Sequence, residues 1–343
     1  MHIGIFAYPS TLLEFGGGMV TLTKTYEYLR ETGRETGRSV DRFDPWQHRL
    51  ADFDLIHHFG FAYCNYEWFR TVKAMGKRLA VTPMYWVHER PAYLRLSRKI
   101  LSHLPVLKPP PVLTRLMLEL ADLVLPNSEG EQQLLNDLYG CPLEKMQIVP
   151  CGVDDRFSQA SPEPFQQAHG ISDFVLCVGR FDPSQKNQLQ LIRALKDTDL
   201  TMVFIGGPST GREAYYEQCR QEAPASARFI DFLDPTGPLL ASAFAAANTL
   251  VIPSYFEYPC MVAMEALLTG TKLAITTGGT TREYFKDYAV YFDPLSPSDI
   301  KKAVLHAVET PIHPEARAYA RTHFLWDHVG ACLDTAYRAA GFE

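Results

Sequence analysis

Short apolar runs recur along this chain, and most are followed by polar turn residues and then by a helix-like pattern. Continuous apolar runs are typical of strands buried on both faces, and their alternation with helices indicates parallel sheets. The runs form two series, so we predict two doubly wound α/β domains. The predicted strands are residues 2–8, 55–59, 79–84, 123–126 and 147–150 in the first series, and 174–178, 201–205, 228–232, 249–253, 272–276 and 289–292 in the second.

The two series are separated by residues 157–173, which are rich in Ser, Pro and Gln and predict an exposed linker. With 343 residues, the chain has room for two domains of about 150 residues each. We place the first domain at 1–160 and the second at 161–325, and a terminal helix over about 326–343 could pack back on the first. Two such domains facing one another would form a cleft at the carboxyl ends of both sheets, where open α/β folds bind ligands.

Charge and cysteine content narrow the class of protein. The formal net charge is -6, which does not suit a nucleic-acid binder, because such proteins need a basic excess to displace counterions from phosphates. The seven cysteines are scattered and form no CxxC pair, which favours a reducing compartment. No run approaches the roughly 20 apolar residues that cross a bilayer. We therefore expect a cytoplasmic protein that at most lies on the inner face of the membrane.

Two cations, Arg180 and Lys186, lie six residues apart in the loop after the predicted strand at 174–178. Such a pair can hold both phosphates of a diphosphate, the Arg through its planar fork and the Lys as a point charge. Taken alone, the two residues are better explained as solvated loop cations.

Two carboxylates, Glu257 and Glu265, follow the predicted strand at 249–253, the first in a loop and the second in a helix predicted to begin near Pro259. The backbone amides that this helix start would leave free belong to Cys260, Met261 and Val262. These amides and the Arg/Lys loop could neutralise a diphosphate, while the carboxylates accept hydrogen bonds from a sugar and a ribose. The combination indicates a nucleotide sugar as ligand.

These motifs resemble those of glycosyltransferase family 4, the retaining, metal-independent enzymes with the GT-B fold. The resemblance covers nearly the whole chain, and its matching pieces are the glycine turn at 16–18, residues 121–128, residues 149–154, the Arg180 and Lys186 loop, and the Glu257 and Glu265 pair with seven residues between. The chain departs from the usual glycines of the family at Tyr258, Pro259 and Cys260.

The resemblance implies a GT-B fold, with two facing Rossmann-like doubly wound parallel-sheet domains and a cleft between them. It implies that 1–160 is the acceptor side and 161–325 the donor side. By the same resemblance, Arg180 and Lys186 hold the donor diphosphate, Glu257 holds hydroxyls of the donor sugar, and no metal or other cofactor is needed. Glu265 would bind the ribose.

Several further residues are candidates for binding the substrate, and most of them have two interpretations. The turn of Gly16, Gly17 and Gly18 either closes over the phosphates or is a turn without a ligand. His88 either lies near the transferred sugar, as in similar enzymes, or is an ordinary loop histidine. Phe232 and Leu233 belong either to the loop that binds the base or to the core. Gly207 completes the predicted substrate-binding set.

Two patterns that suggest metals are set aside. The acidic pair Asp52 and Asp54 begins a predicted strand and lacks the context of a metal-binding DxD motif. His57 and His58 are adjacent in a predicted strand, so their side chains point to opposite faces. No cluster completes a tetrahedral set of ligands.

Residues 90–118 contain six cations, no acid and several interleaved leucines. Such a segment is either a solvated loop and helix with a core-facing stripe or a surface that binds an anionic membrane. In the second case the acceptor would be lipid-linked.

The sequence therefore predicts a retaining glycosyltransferase that moves a hexosyl unit from a nucleoside-diphosphate sugar to a hydroxyl of a saccharide or lipid-linked saccharide, as in polysaccharide or glycolipid biosynthesis. A UDP-hexose such as UDP-glucose is the first choice of donor. The predicted reaction is a front-face attack in which a diphosphate oxygen takes the acceptor proton. The alternatives are a non-catalytic nucleotide-sugar sensor and another GT-B enzyme such as an epimerase.

Overall fold

The computed structural model describes residues 1–7, 16–61, 63–86 and 110–342. Contacts divide the chain into two compact units, Met1–Gly152 with Trp326–Glu343, and Val153–Leu325. The chain thus passes into the second unit eight residues before the predicted boundary at 160 and returns to the first unit at its end.

Parallel strands form one sheet in each unit, and their bounds are close to those of the predicted apolar runs. Within the described residues, the strands of the first unit are His2–Ala7 (β1), Ser39–Arg42 (β2), Leu55–Phe59 (β3), Arg78–Thr82 (β4) and Leu123–Val124 (β5). Those of the second are Val175–Val178 (β6), Met202–Ile205 (β7), Arg228–Ile230 (β8), Thr249–Ile252 (β9), Lys272–Thr276 (β10) and Val290–Phe292 (β11).

The helices of the described residues alternate with the strands. They are Gly17–Thr36 (α1), Tyr66–Ala74 (α2), Pro110–Leu120 (α3), Glu129–Tyr139 (α4), Glu163–His169 (α5), Gln188–Leu195 (α6), Glu213–Glu222 (α7), Pro238–Ala246 (α8), Met261–Thr269 (α9), Thr281–Phe285 (α10), Pro297–Glu309 (α11), Ala316–Phe324 (α12) and Trp326–Ala339 (α13). None of them is both long and apolar enough to cross a bilayer.

The first sheet has the strand order β2-β1-β3-β4-β5 and is covered by helices on both faces. On one face, α1 and α13 contribute Leu22, Leu29 and Leu333 to a core with strand residues. On the other, α2, α3 and α4 contribute Phe69, Met117 and other side chains to a second core. This is the doubly wound arrangement, with its change of direction between β1 and β3.

Two features of the first sheet differ from the prediction. Strand β2 was not predicted because Val40 is the only buried residue of its four, so no apolar run marks it. Residues 147–150, predicted as a strand, do not form one. Because β5 is only two residues long, it offers this segment a single bridge, between Val124 and Met146.

The second sheet has the order β11-β10-β9-β6-β7-β8. From one edge to the other this is the dinucleotide-binding order 3-2-1-4-5-6, whose change of direction falls between its first and fourth strands, here β6 and β9. Open α/β sheets bind ligands outside the carboxyl ends of the strands at this point. The loops that follow β6 and β9 are therefore the expected place for a ligand in this unit.

The prediction of an exposed linker over residues 157–173 is wrong. Helix α5 lies within it, and the side chains of Phe157 and Phe165 are buried. Phe157 packs edge-on against Phe244 of α8, and Phe165 packs against Phe174. The polar residues of the segment are thus the outer surface of an element whose aromatic residues enter the core of the second unit.

Candidate active site

The loops after β6 and β9 are hydrogen-bonded to each other at the change of direction of the second sheet. The amide of Tyr255 donates to the carbonyl of Gln185 at 2.8 Å, and the side-chain amide of Asn187 donates to the carbonyl of Pro253 at 3.1 Å. These bonds hold the backbone on both sides of Lys186. The position of the Lys186 side chain is therefore set by the β9 loop.

An ion pair joins the two loops across 71 positions of sequence. Lys186 Nζ donates to Glu257 Oε1 at 2.6 Å, and Ser254 Oγ donates to the same oxygen at 2.6 Å. Glu257 is 5% exposed and Ser254 is 1% exposed, whereas the Lys186 side chain is 25% exposed. Burial acts to lower the pKa of Lys186, but the Glu257 carboxylate and the nearby Cys260 and Cys177 together exceed that effect, so the pKa is raised. The structure thus brings together a cation and a carboxylate that the sequence assigned to one site.

A third loop, after β10, holds the backbone of Glu257. The amide of Glu257 donates to the carbonyl of Gly278 at 3.2 Å, and the amide of Thr280 donates to the carbonyl of Glu257 at 2.9 Å. A Cβ on Gly279, whose φ is +85°, would lie 2.0 Å from the Glu257 carbonyl oxygen, and one on Gly278 would lie 2.1 Å from the carbonyl oxygen of Tyr255. The two glycines are therefore required by this close approach.

Helix α9 begins at Met261, with Cys260 as its N-cap residue, which is two residues after Pro259, near which its start was predicted. Pro259 therefore precedes the helix, the Cys260 side chain is buried, and Met261 and Val262 are partly buried in the first turn.

Glu265 lies in the second turn of α9. Desolvation raises the pKa of its carboxyl to about 8, against the opposing effect of Arg156. Asp154 contributes to the rise as a like charge. The carboxyl therefore ionises less readily than an exposed glutamate in the ligand-free protein.

The other predicted donor-side residues surround the same edge of the sheet. Arg180 is exposed at the end of β6. Gly207 follows β7, and its carbonyl accepts from the amide of Phe181 at 2.8 Å, which links the loops after β7 and β6. Phe232 is 60% exposed after β8, which excludes the core alternative for this residue, and Leu233 is partly buried.

On the first unit, the predicted glycine turn opens α1. Gly16 is the N-cap residue with an extended backbone, and Gly17 and Gly18 begin the helix. His88 lies outside the described residues, as does most of the cationic segment at 90–118. In the described part of that segment, Arg115 pairs with Glu119 at 2.7 Å along α3.

The patterns set aside as metal sites have structural partners. The Nε2 of His57 bonds to Thr82 Oγ1 and its Nδ1 to Tyr337 OH, both at 2.8 Å, whereas His58 Nε2 bonds to Asn65. Asp52 ends a 3₁₀ turn before β3. Among the described residues, no three His, Cys, Asp or Glu side chains are grouped so that they could hold a metal ion.

Two of the residues that hold the site were not predicted from the sequence. Ser254 and Thr280 carry no signal of their own, although the Gly278–Gly279 pair directly after a strand marks a close approach. In the first unit, Glu131 was also not predicted; it is a buried carboxylate at the carboxyl edge of the first sheet and accepts from the amides of Tyr85 and Asn127 at 2.5 and 2.6 Å. The sequence pattern of a serine followed three residues later by a glutamate, directly after a strand, is a signal that could have found it.

Solved structures share this fold over the whole chain. Sucrose-phosphate synthase from Thermosynechococcus elongatus matches with a TM-score of 0.77 at 17% identity, over 98% of both chains. The HepE protein of Anabaena, solved in complex with UDP, matches with a TM-score of 0.77 at 16% identity, over 99% of this chain and 100% of that one. The protein has two parallel-sheet α/β units with the fold of GT-B glycosyltransferases.

Sequence comparison then defines the family. Residues 163–323 match the model for glycosyl transferases group 1, and residues 16–157 match the model for glycosyltransferase family 4. D-inositol 3-phosphate glycosyltransferases of Mycolicibacterium paratuberculosis and Geodermatophilus obscurus are each 31% identical, over 64% and 65% of this chain. The matches span about half the length of these relatives, 53% and 54%. The chain belongs to the family 4 glycosyltransferases, as the sequence motifs predicted.

Proposed function

We propose that this protein is a glycosyltransferase that moves a hexosyl unit from a nucleoside-diphosphate sugar to a hydroxyl of a saccharide or lipid-linked saccharide. The observation that carries the proposal is the Lys186–Glu257 pair at the change of direction of the second sheet, with Arg180 on the same loop. A cation for phosphate and a buried carboxylate for sugar hydroxyls are the two groups that a nucleotide sugar requires.

A UDP-hexose such as UDP-glucose is the proposed donor. Support comes from the structural neighbours, since the HepE protein of Anabaena was solved with UDP-glucose and a neighbouring trehalose-phosphate synthase is described as UDP-forming. The named relatives act on D-inositol 3-phosphate, which supports a polyhydroxylated acceptor.

In the proposed reaction, negative charge builds on the departing diphosphate. Arg180, Lys186 and the amides at the start of α9 stabilise that charge, which makes a metal ion unnecessary. Glu257 accepts hydrogen bonds from the sugar, and Glu265 accepts them from the ribose. Because Glu257 Oε1 is engaged by Lys186 and Ser254, its geometry suits binding better than attack at the anomeric carbon. This supports front-face attack by the acceptor with retained configuration, in which a diphosphate oxygen takes the acceptor proton.

The membrane role proposed for residues 90–118 is supported by the sequence pattern alone. Flotation with anionic vesicles at low salt tests it, and absence of binding removes it.

Product formation tests the proposed activity. We expect transfer of label from one of UDP-glucose, GDP-mannose or ADP-glucose to a saccharide or crude lipid extract, with the same rate in EDTA and the same anomeric configuration by NMR. Binding of a donor without any transfer would favour the sensor, and release or inversion of the sugar without an acceptor would favour the epimerase.

A further inference from the structure

The Lys186–Glu257 pair contains a conflict between two roles. The proposed function assigns the Lys186 ammonium to the donor diphosphate, yet in the ligand-free protein this ammonium donates to Glu257 at 2.6 Å. A diphosphate that recruits Lys186 must therefore compete with the Glu257 carboxylate. Glu257 is buried, so the loss of its cation would leave a charge without compensation in a site of low polarity, which is costly.

Ser254 offers a second partner at the same oxygen. Its hydroxyl donates to Glu257 Oε1 at 2.6 Å, and it is 1% exposed, so water cannot replace it easily. Within the described part of the chain, the other oxygen of Glu257, Oε2, has no hydrogen-bond partner. A hydroxyl of a sugar is a donor that could bond to Oε2.

Building on the proposed function, we propose that Ser254 is a positioning residue that holds the Glu257 carboxylate when the donor diphosphate takes Lys186 away. Lys186 then exchanges one anion for another, and Glu257 exchanges the ammonium for a sugar hydroxyl. Recognition of the diphosphate and recognition of the sugar become coupled through one carboxylate.

The two residues of the pair differ in their freedom to move. Glu257 is held through its backbone by Gly278 and Thr280. Lys186 has a flexible four-carbon stem and a quarter of its side chain exposed, so its ammonium can turn while the backbone at Gln185 and Asn187 stays fixed. The lysine is therefore the group that moves.

The coupling has opposite consequences for two ligands. A nucleoside diphosphate without its sugar breaks the Lys186–Glu257 pair and supplies no new hydrogen-bond donor to Glu257. The complete nucleotide sugar breaks the same pair but supplies a hydroxyl to the carboxylate. A hydrogen bond to a charged group contributes about tenfold or more in affinity, so the difference is measurable.

Titration calorimetry of the full chain with UDP and with UDP-glucose tests the proposal, with GDP and GDP-mannose as the second ligand pair. We expect Ser254→Ala to raise the Kd for the diphosphate about tenfold, because Glu257 then loses both of its donors, and to raise the Kd for the nucleotide sugar by clearly less, because the sugar hydroxyl still donates to Glu257. Ser254→Thr, which keeps the hydroxyl, restores the affinity for the diphosphate. The matched control is Ser242→Ala, which removes another buried hydroxyl of the second unit, bonded to the amide of Phe165.

A second variant tests the same proposal if Ser254→Ala does not fold. Glu257→Gln removes the competing charge, so it should bind the diphosphate about threefold to tenfold more tightly and lose the preference for the nucleotide sugar. Unchanged diphosphate binding or an equal loss for both ligands in Ser254→Ala, or unchanged or weaker diphosphate binding in Glu257→Gln, would overturn the exchange. If the wild-type protein binds neither ligand pair, the proposed function itself fails, which is a different result.

Discussion

At the scale of single residues, Arg180 is the group whose loss should affect the leaving diphosphate most simply, because it is exposed on the β6 loop and its removal leaves no cavity. Arg180→Ala should lower kcat/KM about a hundredfold, as expected for the loss of one preorganised charge at a leaving group. The control is Arg193→Ala, which removes an exposed arginine of α6 that pairs with Glu222 of α7. Steady-state kinetics decide, and equal rates for the two variants would contradict the assignment.

Glu265 gives a prediction about pH. Its pKa of about 8 in the folded protein lies above the ordinary value of 4.5 that it regains on unfolding. Between these values the folded state keeps a proton that the unfolded chain has lost, so the residue's contribution to the unfolding free energy falls as the pH rises.

Glu265→Gln cannot ionise, so its unfolding free energy should exceed that of the wild type by an amount that grows from pH 4.5 to pH 8. We expect about 2 kcal/mol at pH 8, which is below the value for the full shift because the side chain is only partly buried. Urea unfolding at several pH values measures this difference, with the exposed Glu217→Gln as control. A difference that does not vary with pH would refute the raised pKa.

At this scale the sequence predicts the charged residues of the site but not their neighbours. Lys186 and Glu257 could be found because each follows a buried strand, and parallel strands that lie side by side place such loops at one edge. Ser254 could not be found, since a serine three residues before a glutamate is common and only the folded loop directs its hydroxyl to Glu257. The choice between loop and core for Phe232 and Leu233 depends on how exposed each side chain is, and the apolar nature of a residue does not determine its exposure.

At the scale of elements, the C-terminal helix α13 is held on the first unit by close packing. A Cβ on Gly330 would lie 2.1 Å from the ring of Tyr28, whose hydroxyl donates to Asp334 of the same helix at 2.8 Å. The ring of Tyr28 therefore occupies the space that a side chain at position 330 would need.

Glycine to alanine in a helix interior ordinarily stabilises by about 0.5–1 kcal/mol. Gly330→Ala should instead lower the unfolding free energy by about 2 kcal/mol, because the added methyl overlaps Tyr28. Urea unfolding followed by circular dichroism measures the sign. Stabilisation would show that α13 does not pack as described.

The elements also show where sequence patterns succeed. Strands such as β3 and β9 were predicted because each is buried along its whole length. Strand β2 and helix α5 were missed, because one buried valine in four residues and two phenylalanines in a polar segment give no periodic signal. Where only one or two side chains of an element are buried, tertiary packing decides which they are, and the sequence pattern does not show it.

At the scale of the whole molecule, the two units differ in chain continuity. The second unit is one continuous segment, Val153–Leu325, whereas the first requires residues 1–152 together with the segment that contains α13. A fragment of residues 153–325 should therefore unfold cooperatively by itself and retain affinity for a nucleoside diphosphate. A fragment of residues 1–152 should be much less stable, since it lacks Leu333 and Tyr337 from its core. Non-cooperative melting of the 153–325 fragment would contradict this division.

The edge of the second sheet around Lys186 and Glu257 is the site that we propose for the nucleotide sugar. Titration calorimetry of the full chain with UDP-glucose, GDP-mannose and ADP-glucose tests it most directly, on the wild type, on Lys186→Ala and on the control Lys272→Ala at the opposite end of β10. We expect one donor to bind the wild type and the control equally, and to bind Lys186→Ala about a hundredfold more weakly. Absence of binding by all three donors, or equal affinity in Lys186→Ala, would contradict it.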